Sequence, residues 1–169
     1  MVIPVDIDVN DLARFGRYFS WPKPSRCPSC SQNLWWHGFV LAYFAVLAEP
    51  VFIRRLYCPH CHCVHRLRPS GYWPRFRSSI EEIRKAVEHR EKTKRWRPDL
   101  PRPRQRQWWK RLARMCLAAL GFSFADNLPE AFASLAELGI IPVTSAAESE
   151  NRHIGHPPYR IVSLPGFSR

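Results

Sequence analysis

The hydrophobic residues of this chain gather first in two runs, residues 34–47 and 51–57, with Ala48-Glu49-Pro50 between them. Both runs are rich in aromatic and β-branched residues, a composition typical of β-strands. Residues 64–67 repeat it over a shorter length. The pattern therefore predicts a small antiparallel sheet of three strands in the first half of the chain.

Helical periodicity replaces this pattern further along. Residues 80–95 space apolar side chains three and four residues apart behind a Ser79–Glu82 capping box, and Pro98 would stop that helix. Residues 108–120 predict a second helix, which Gly121 would cap. Its apolar stripe consists of Trp108, Leu112, Cys116 and Leu120. Cys116 is therefore expected to be a buried core thiol.

A third helix is expected between Asn127, its cap, and Gly139. Residues 140–144 and 159–164 then look like strands, and the order of these parts is similar to a winged-helix domain with residues 151–153 in the wing. The third helix contains Glu130 and Glu137 and no Lys or Arg, which argues against base reading by that helix. Its buried residues would be Leu128, Phe132, Leu135 and Leu138.

Two further segments connect these parts. Residues 1–26 form an N-terminal arm, in which a short helix starting at Asn10 or Asp11 would cover the sheet with one apolar face, made of Leu12, Phe15, Tyr18 and Phe19. Residues 98–107 are rich in proline and arginine, which predicts a stiff, extended linker. The expected fold class is α+β. Its segments are the arm 1–26, a metal-bearing ribbon 27–68, an aromatic and basic loop with its helix 69–97, the linker 98–107 and a helical C-terminal domain 108–169.

Four of the six cysteines occur in two Cys-Pro-x-Cys tetrapeptides, Cys27 to Cys30 and Cys58 to Cys61. Each tetrapeptide forms a tight turn that directs two sulfurs at one point, and its proline lowers the entropy lost when the turn closes. Four thiolates make the closed tetrahedral shell of structural Zn²⁺. We therefore predict a zinc ribbon with one structural zinc ion, worth on the order of 10 kcal/mol of folding free energy to so small a sheet.

Other uses of these cysteines fit the sequence less well. Disulfides need an oxidising compartment, and the first ten residues carry Asp6 and Asp8 in place of an apolar signal peptide. A redox Cys-x-x-Cys needs one pair, usually in a βαβ pattern, which is not visible here. The residues near enough in sequence to replace a ligand are Cys63, His60, His62 and His65. We take this cysteine as a spare and expect the histidines to be solvated or to contact phosphates.

Three features accompany the tetrapeptides: His37-Gly38 after the first, the basic stretch Ile53-Arg54-Arg55-Leu56-Tyr57 before the second, and Trp73-Pro74 ahead of a helix. Together they resemble the N-terminal zinc-ribbon region of bacterial insertion-sequence transposases and of small proteins carried by mobile elements. The resemblance covers about residues 27–90 and implies binding to mobile-element DNA. The chain departs from that family at Ser31 and His62, where glycine is usual. Such a turn normally has a positive φ, so either slight strain or a different turn is expected at these two positions.

The positive charge of the chain is concentrated in one block. The formal net charge is +12, and residues 66–114 contain 17 Lys+Arg against 5 Asp+Glu, while the rest of the chain has 9 of each. A block of this kind indicates a docking surface for a polyanion, most simply duplex DNA. The residues expected to lie along phosphates are Arg54, Arg55, Arg66, Arg68, Arg75, Arg77, Arg84, Lys85, Arg102, Arg104, Arg106 and Lys110.

Catalysis is not expected, because phosphoryl transfer uses paired carboxylates around Mg²⁺ and no two acidic residues meet at a predicted strand end. Two alternatives to DNA binding stay open. One is an adaptor for a recombinase, transposase or effector protein. The other is RNA binding, with bases stacked on Trp73, Trp96, Trp108 or Trp109. The apolar run 39–48 is about half of the roughly 20 residues that a membrane span needs. No membrane partner is therefore expected. The missing signal peptide favours the cytoplasm, and the resemblance implies a bacterial protein.

Overall fold

The computed structural model describes residues 1–121 and 126–144, and these form a mixed α+β structure as predicted. The chain divides into two compact units, Met1–Glu81 and Glu82–Arg169. The first unit contains a four-stranded sheet, and the second contains the longer helices. No helix in the described residues combines the length and apolarity that crossing a membrane requires.

The sheet contains the three predicted strands, β2 (Trp35–Ala42), β3 (Val51–Tyr57) and β4 (Val64–Pro69), together with a fourth, β1 (Val2–Val5). The strand order is β1-β4-β3-β2. Strands β2, β3 and β4 pair in antiparallel fashion, whereas β1 pairs parallel to β4. The N-terminal arm therefore adds a strand to the ribbon, which the sequence did not indicate.

A bulge interrupts the pairing of β2 with β3. The register shifts between Trp36 and Phe39, and Gly38 lies inside the shift with a φ of 70°. Glycine reaches this backbone region without steric penalty, which explains why it occupies the bulge. Strand β2 is an edge strand, and most of its side chains are exposed.

The helix predicted in the arm is present as α1 (Val9–Phe15), and the Asp8 carboxylate caps it by accepting the Asn10 N–H at 2.9 Å. Leu12 is fully buried, as expected for a helix that covers the sheet. Two other residues of the predicted apolar face do not cover the sheet as expected, because Phe15 is 46% exposed and Tyr18 is 96% exposed. The chain turns at Gly16 into a 3₁₀ turn, Gly16–Tyr18, so Tyr18 does not continue the helical face on which Leu12 lies.

The core of the first unit joins the arm, the sheet and the cysteines. Leu12 and Trp21 from the arm belong to one buried cluster with Leu56 and Leu67 from the sheet. Two of the predicted metal ligands, Cys27 and Cys58, are buried in the same cluster. The apolar core and the metal site are therefore one continuous structure.

The second unit is built on α2 (Ile80–Thr93), α3 (Arg102–Ala119) and α4 (Leu128–Glu137). The buried residues of α2 lie on its predicted apolar face. In α3, Trp108, Leu112 and Cys116 are buried, and Gly121 ends the helix with a φ of 78° and an N–H bond to Cys116 O.

The predicted extended linker 98–107 is wrong from residue 102 onward, because α3 begins there. Pro101 is the N-cap and Pro103 lies in the first turn, where a missing N–H costs no hydrogen bond. The buried Gln105 side chain then fixes the preceding turn. It accepts the Arg97 N–H and donates to the carbonyls of Arg97 and Leu100.

Helix α4 packs against α3, and its Asn127 side chain caps it by accepting the Glu130 N–H, as predicted. Leu138 was expected to be buried but is 61% exposed, because the helix has ended at Glu137. The strand expected at residues 140–144 is a turn, closed by Thr144 N–H donating to Ile141 O. The predicted wing 151–153 and strand 159–164 lie outside the described residues.

Candidate metal centre and nucleic-acid surfaces

The four cysteines of the two tetrapeptides converge as predicted. The Sγ atoms of Cys27, Cys30, Cys58 and Cys61 all lie within 4.8 Å of one another. Two of the separations are 3.7 Å, Cys27 to Cys61, and 3.4 Å, Cys30 to Cys58. Sulfurs around one tetrahedral metal at the usual metal–sulfur length are about 3.8 Å apart. The donor set therefore fits one structural metal ion with no open position.

The two tetrapeptides build the site with the same backbone turn. The Cys27 N–H donates to Gln32 O at 2.7 Å, and the Cys58 N–H donates to Cys63 O at 3.0 Å, in each case five residues on. Ser31 and His62 occupy equivalent places with φ values of 59° and 57°. Of the two alternatives left open at these positions, strain or a different turn, the structure has the positive φ with a residue other than glycine. Each turn therefore contains some backbone strain.

Backbone N–H groups also point at the sulfurs. The Ser29 N–H donates to Cys27 Sγ at 3.4 Å. The Cys61 N–H, and after it the Cys30 thiol and the His60 N–H, lower the pKa of the Cys58 thiol to about 6 against the opposing effect of burial. Donors of this kind favour the thiolate, which is the form that binds metal.

His65 lies inside the centre, which corrects the prediction that it is solvated. The side chain is fully buried, and its Nε2 atom lies 3.3 Å from Cys27 Sγ. Burial, and then the positive N-terminus, lower the pKa of His65 and favour the neutral ring. The Nδ1 atom has no hydrogen-bond partner among the described residues, so the proton belongs on Nε2, from which it is donated to the sulfur. The one signal in the sequence that could have separated His65 from His60 and His62 is its spacing of two residues from Leu67, which places both side chains on the same face of β4.

The remaining cysteines and histidines near the centre fall outside the four-sulfur set. Cys63 is half-buried and is not among the converging ligands. His60 and His62 are exposed, in agreement with the prediction. Cys116 is buried in α3, and burial raises the pKa of its thiol, as expected of an inert core residue.

The twelve predicted phosphate contacts are divided between the two units, six in each. In the first unit, Arg68 is largely withdrawn from solvent, donates to the Phe76 carbonyl and lies 4.9 Å from the Phe44 ring. Its role is therefore to fasten the loop after β4. Arg54 lies over the Trp36 and Phe39 rings, and Arg77 lies over the Tyr43 ring. Arg75 is exposed in the same loop.

Arg55 and Arg66 lie directly opposite each other on β3 and β4. Cross-strand neighbours of like charge repel each other. Neither residue forms an ion pair in the described part of the chain.

In the second unit, Arg84 forms an ion pair with Glu88, and Lys85 is exposed. Arg102, Arg106 and Lys110 are exposed at intervals of four residues along α3, and Arg104 is half-buried. Arg114 continues the series and was missed by the sequence analysis. We call Arg102, Arg106, Lys110 and Arg114 the cationic stripe.

The tryptophans proposed for base stacking are mostly part of the packing. Trp73 and Trp108 are buried, which corrects the suggestion that they stack on RNA bases. Trp96 and Trp109 are half-buried and lie edge to face, with ring centroids 6.4 Å apart. The exposed tryptophans are instead Trp35 and Trp36 on β2. Sequence reasoning treated this pair only as strand-forming residues.

Comparison with family models, with curated proteins and with solved structures finds no match for this chain. The resemblance to transposase zinc ribbons is therefore carried by the residues of this chain alone.

Proposed function

We propose that this chain is a zinc-stabilised nucleic-acid-binding protein whose main ligand is duplex DNA. The cationic stripe on α3 is the observation that supports this proposal most strongly. Its residues lie opposite the buried face of the helix, which includes Gln105, Trp108 and Leu112. At a helical rise of 1.5 Å per residue, successive cations of the stripe are about 6 Å apart along the helix axis.

The electrostatics of α3 are unfavourable without a polyanion. The helix contains no Asp or Glu between Arg102 and Ala119. Like charges four residues apart destabilise a helix by about 0.2–0.5 kcal/mol per pair. Arginines in the first turn also oppose the helix dipole, whose positive end lies there. Phosphates placed along the stripe would relieve both effects, so the helix is better suited to a bound polyanion than to water alone.

The four-sulfur centre supplies rigidity in this proposal. It lies in the same buried cluster as the ribbon core, so one zinc ion would fix both tetrapeptides and the strands between them. The resemblance to transposase zinc ribbons supports a role as an accessory, targeting or regulatory protein of a bacterial mobile element. A recombinase gene next to the gene for this chain would agree with that role.

The proposal is tested by the triple variant Arg102→Gln, Arg106→Gln, Lys110→Gln. Binding to a labelled duplex is measured by fluorescence anisotropy at several salt concentrations. Each lost phosphate contact should reduce the slope of log affinity against log salt by about 1, so the variant should lose about 3. A control that removes three charges outside the basic block, Arg14→Gln, Lys23→Gln and Arg26→Gln, should change the slope much less.

Two outcomes would contradict duplex binding by the stripe. Equal slopes for the wild type and the triple variant would show that α3 does not contact phosphates. Absence of binding to any nucleic acid at 100 mM salt would favour the adaptor for a recombinase or effector protein.

A further inference from the structure

At the end of the sheet beside the cysteine turns, where Arg55–Tyr57 of β3 pairs with β4, one face is buried and the other is open. Leu56, His65 and Leu67 lie on the buried face. The residues on the opposite side follow from the strand register, because Trp35 pairs with Tyr57, Tyr57 pairs with Val64, and Arg55 pairs with Arg66. His37 belongs to the same side, since its ring lies 5.7 Å from that of Tyr57. We call Trp35, His37, Arg55, Tyr57 and Arg66 the outer face.

The two arginines make this face a site for an anion. None of the four strands contains Asp or Glu, so nothing within the sheet neutralises Arg55 and Arg66. The Nε atom of Arg55 is buried and has no hydrogen-bond partner within the described residues. The Arg55 guanidinium lies beside Gly38, where an added Cβ would be 3.7 Å from Nη2. A phosphate at this point would accept from both guanidinium groups and offset their mutual repulsion.

Aromatic rings lie next to the arginine pair. Trp35 is 64% exposed, although it is the largest side chain on the face. Trp35 pairs across the strands with Tyr57, which is two residues from Arg55. Trp35 and Arg55 are therefore diagonal cross-strand neighbours, whose backbones are about 7–8 Å apart. An exposed indole next to two arginines can bind both parts of one nucleotide: the base stacks on the ring, and the phosphate is bound by the guanidinium groups. A base inside a closed duplex cannot stack in this way, whereas an unpaired base can.

The metal centre and the outer face are mechanically connected. The Tyr57 hydroxyl and the His62 Nδ1 atom are hydrogen-bonded at 2.8 Å, and His62 is the positive-φ residue of the second cysteine turn. The turn that presents Cys58 and Cys61 to the metal thus also fixes the Tyr57 ring. Metal binding would in this way hold the aromatic part of the face in place.

We propose that the outer face binds a single-stranded segment of nucleic acid, with an unpaired base stacked on Trp35 and the adjoining phosphate bound by Arg55 and Arg66. This inference rests on the proposed nucleic-acid-binding function and adds a class of ligand to it. It also assigns the first unit a contact that differs from the phosphate contacts of the cationic stripe.

The test uses the zinc-loaded full chain and two labelled probes, an oligothymidylate, which has no internal base pairing, and a duplex. Trp35→Ala should weaken oligothymidylate binding roughly 10- to 100-fold, the range found when one stacking aromatic is removed. Trp35→Phe should keep most of the affinity, because a ring remains. Tyr18→Ala, which removes a more exposed ring elsewhere in the first unit, should have no effect. Arg55→Gln and Arg66→Gln should each lower the single-strand salt slope by about 0.7.

The two proposals fail in different ways. If Trp35→Ala binds oligothymidylate as tightly as the wild type, or if it weakens duplex binding by the same factor, the outer face is not a single-strand site. That result would leave duplex binding through α3 untouched. A wild-type chain that binds oligothymidylate but no duplex would overturn the proposed duplex function and support the outer face.

Discussion

The Nε2 atom of His65 lies 3.3 Å from the Sγ atom of Cys27, and both side chains are buried. A neutral imidazole that donates to a ligand sulfur fixes the position of that sulfur and moderates its charge. His65 is therefore a positioning residue of the metal centre, although it is not one of the four ligands.

His65→Leu keeps the volume of the buried side chain and removes the hydrogen bond. We expect zinc affinity to fall by about 10- to 100-fold, as is typical when a group behind a metal ligand is lost. Competition against a chromophoric chelator measures this affinity. His60→Leu, at an exposed position in the second turn, is the control and should bind zinc normally. Equal zinc affinity for the His65 variant and the wild type would show that the contact has no role in the centre.

Removal of the metal should affect the two units differently. Cys30→Ser or a strong chelator should abolish binding of the proposed zinc ion and unfold the ribbon, since structural zinc supplies much of the folding free energy of such modules. Zinc content and circular dichroism check this prediction, with the helical signal of the second unit largely retained. Cys63→Ser should still bind one zinc ion, because Cys63 lies outside the converging set. Loss of zinc from that variant would contradict the ligand assignment.

Ser31 has a φ of 59°, a conformation that glycine adopts without penalty. Ser31→Gly should raise the unfolding free energy of the zinc-loaded ribbon by about 0.5–1 kcal/mol, because relief of the strain exceeds the added entropy of the unfolded chain. Urea unfolding in excess zinc, followed by tryptophan fluorescence, gives this value. Ser29→Gly lies in the same turn without a positive φ and should destabilise instead. A gain at both positions would show that strain at Ser31 is not the cause.

Gln105 is buried and makes three hydrogen bonds to the backbone of Arg97 and Leu100. Gln105→Ala leaves one N–H and two carbonyls without these partners, so we expect a loss of about 2–4 kcal/mol in the unfolding free energy of the second unit. Chemical denaturation followed by circular dichroism measures the loss. Gln107→Ala, at an exposed position of the same helix, should be nearly neutral. Similar values for the two variants would mean that Gln105 does not stabilise the start of α3.

The sequence predicted those parts of the fold that depend on short spacings. The Cys-Pro-x-Cys spacing identified all four sulfurs, and aromatic and β-branched runs located β2, β3 and β4. Strand β1 was not predicted, because its four residues include Pro4 and show no clear alternation of polar and apolar side chains. Its partner strand also lies more than sixty residues away in the sequence. Parallel pairing over that distance leaves no local signal.

The remaining wrong predictions have a common cause, because the same residue types occur in more than one conformation or environment. Prolines next to arginines are typical of extended linkers, yet at Pro101 and Pro103 they begin a helix, because Gln105 satisfies the preceding backbone. Exposure is equally hard to read from composition. Trp73 and Trp35 are chemically identical, and only the tertiary structure buries the first and leaves the second open.

The salt dependence of duplex affinity tests the central claim most directly. The zinc-loaded chain is titrated with a labelled duplex between 50 and 200 mM salt. If about six to eight phosphates are neutralised, the affinity should fall by roughly three to four powers of ten across this range. A nearly flat dependence would contradict the account, because a surface that binds phosphates through arginine and lysine must release counterions from the duplex.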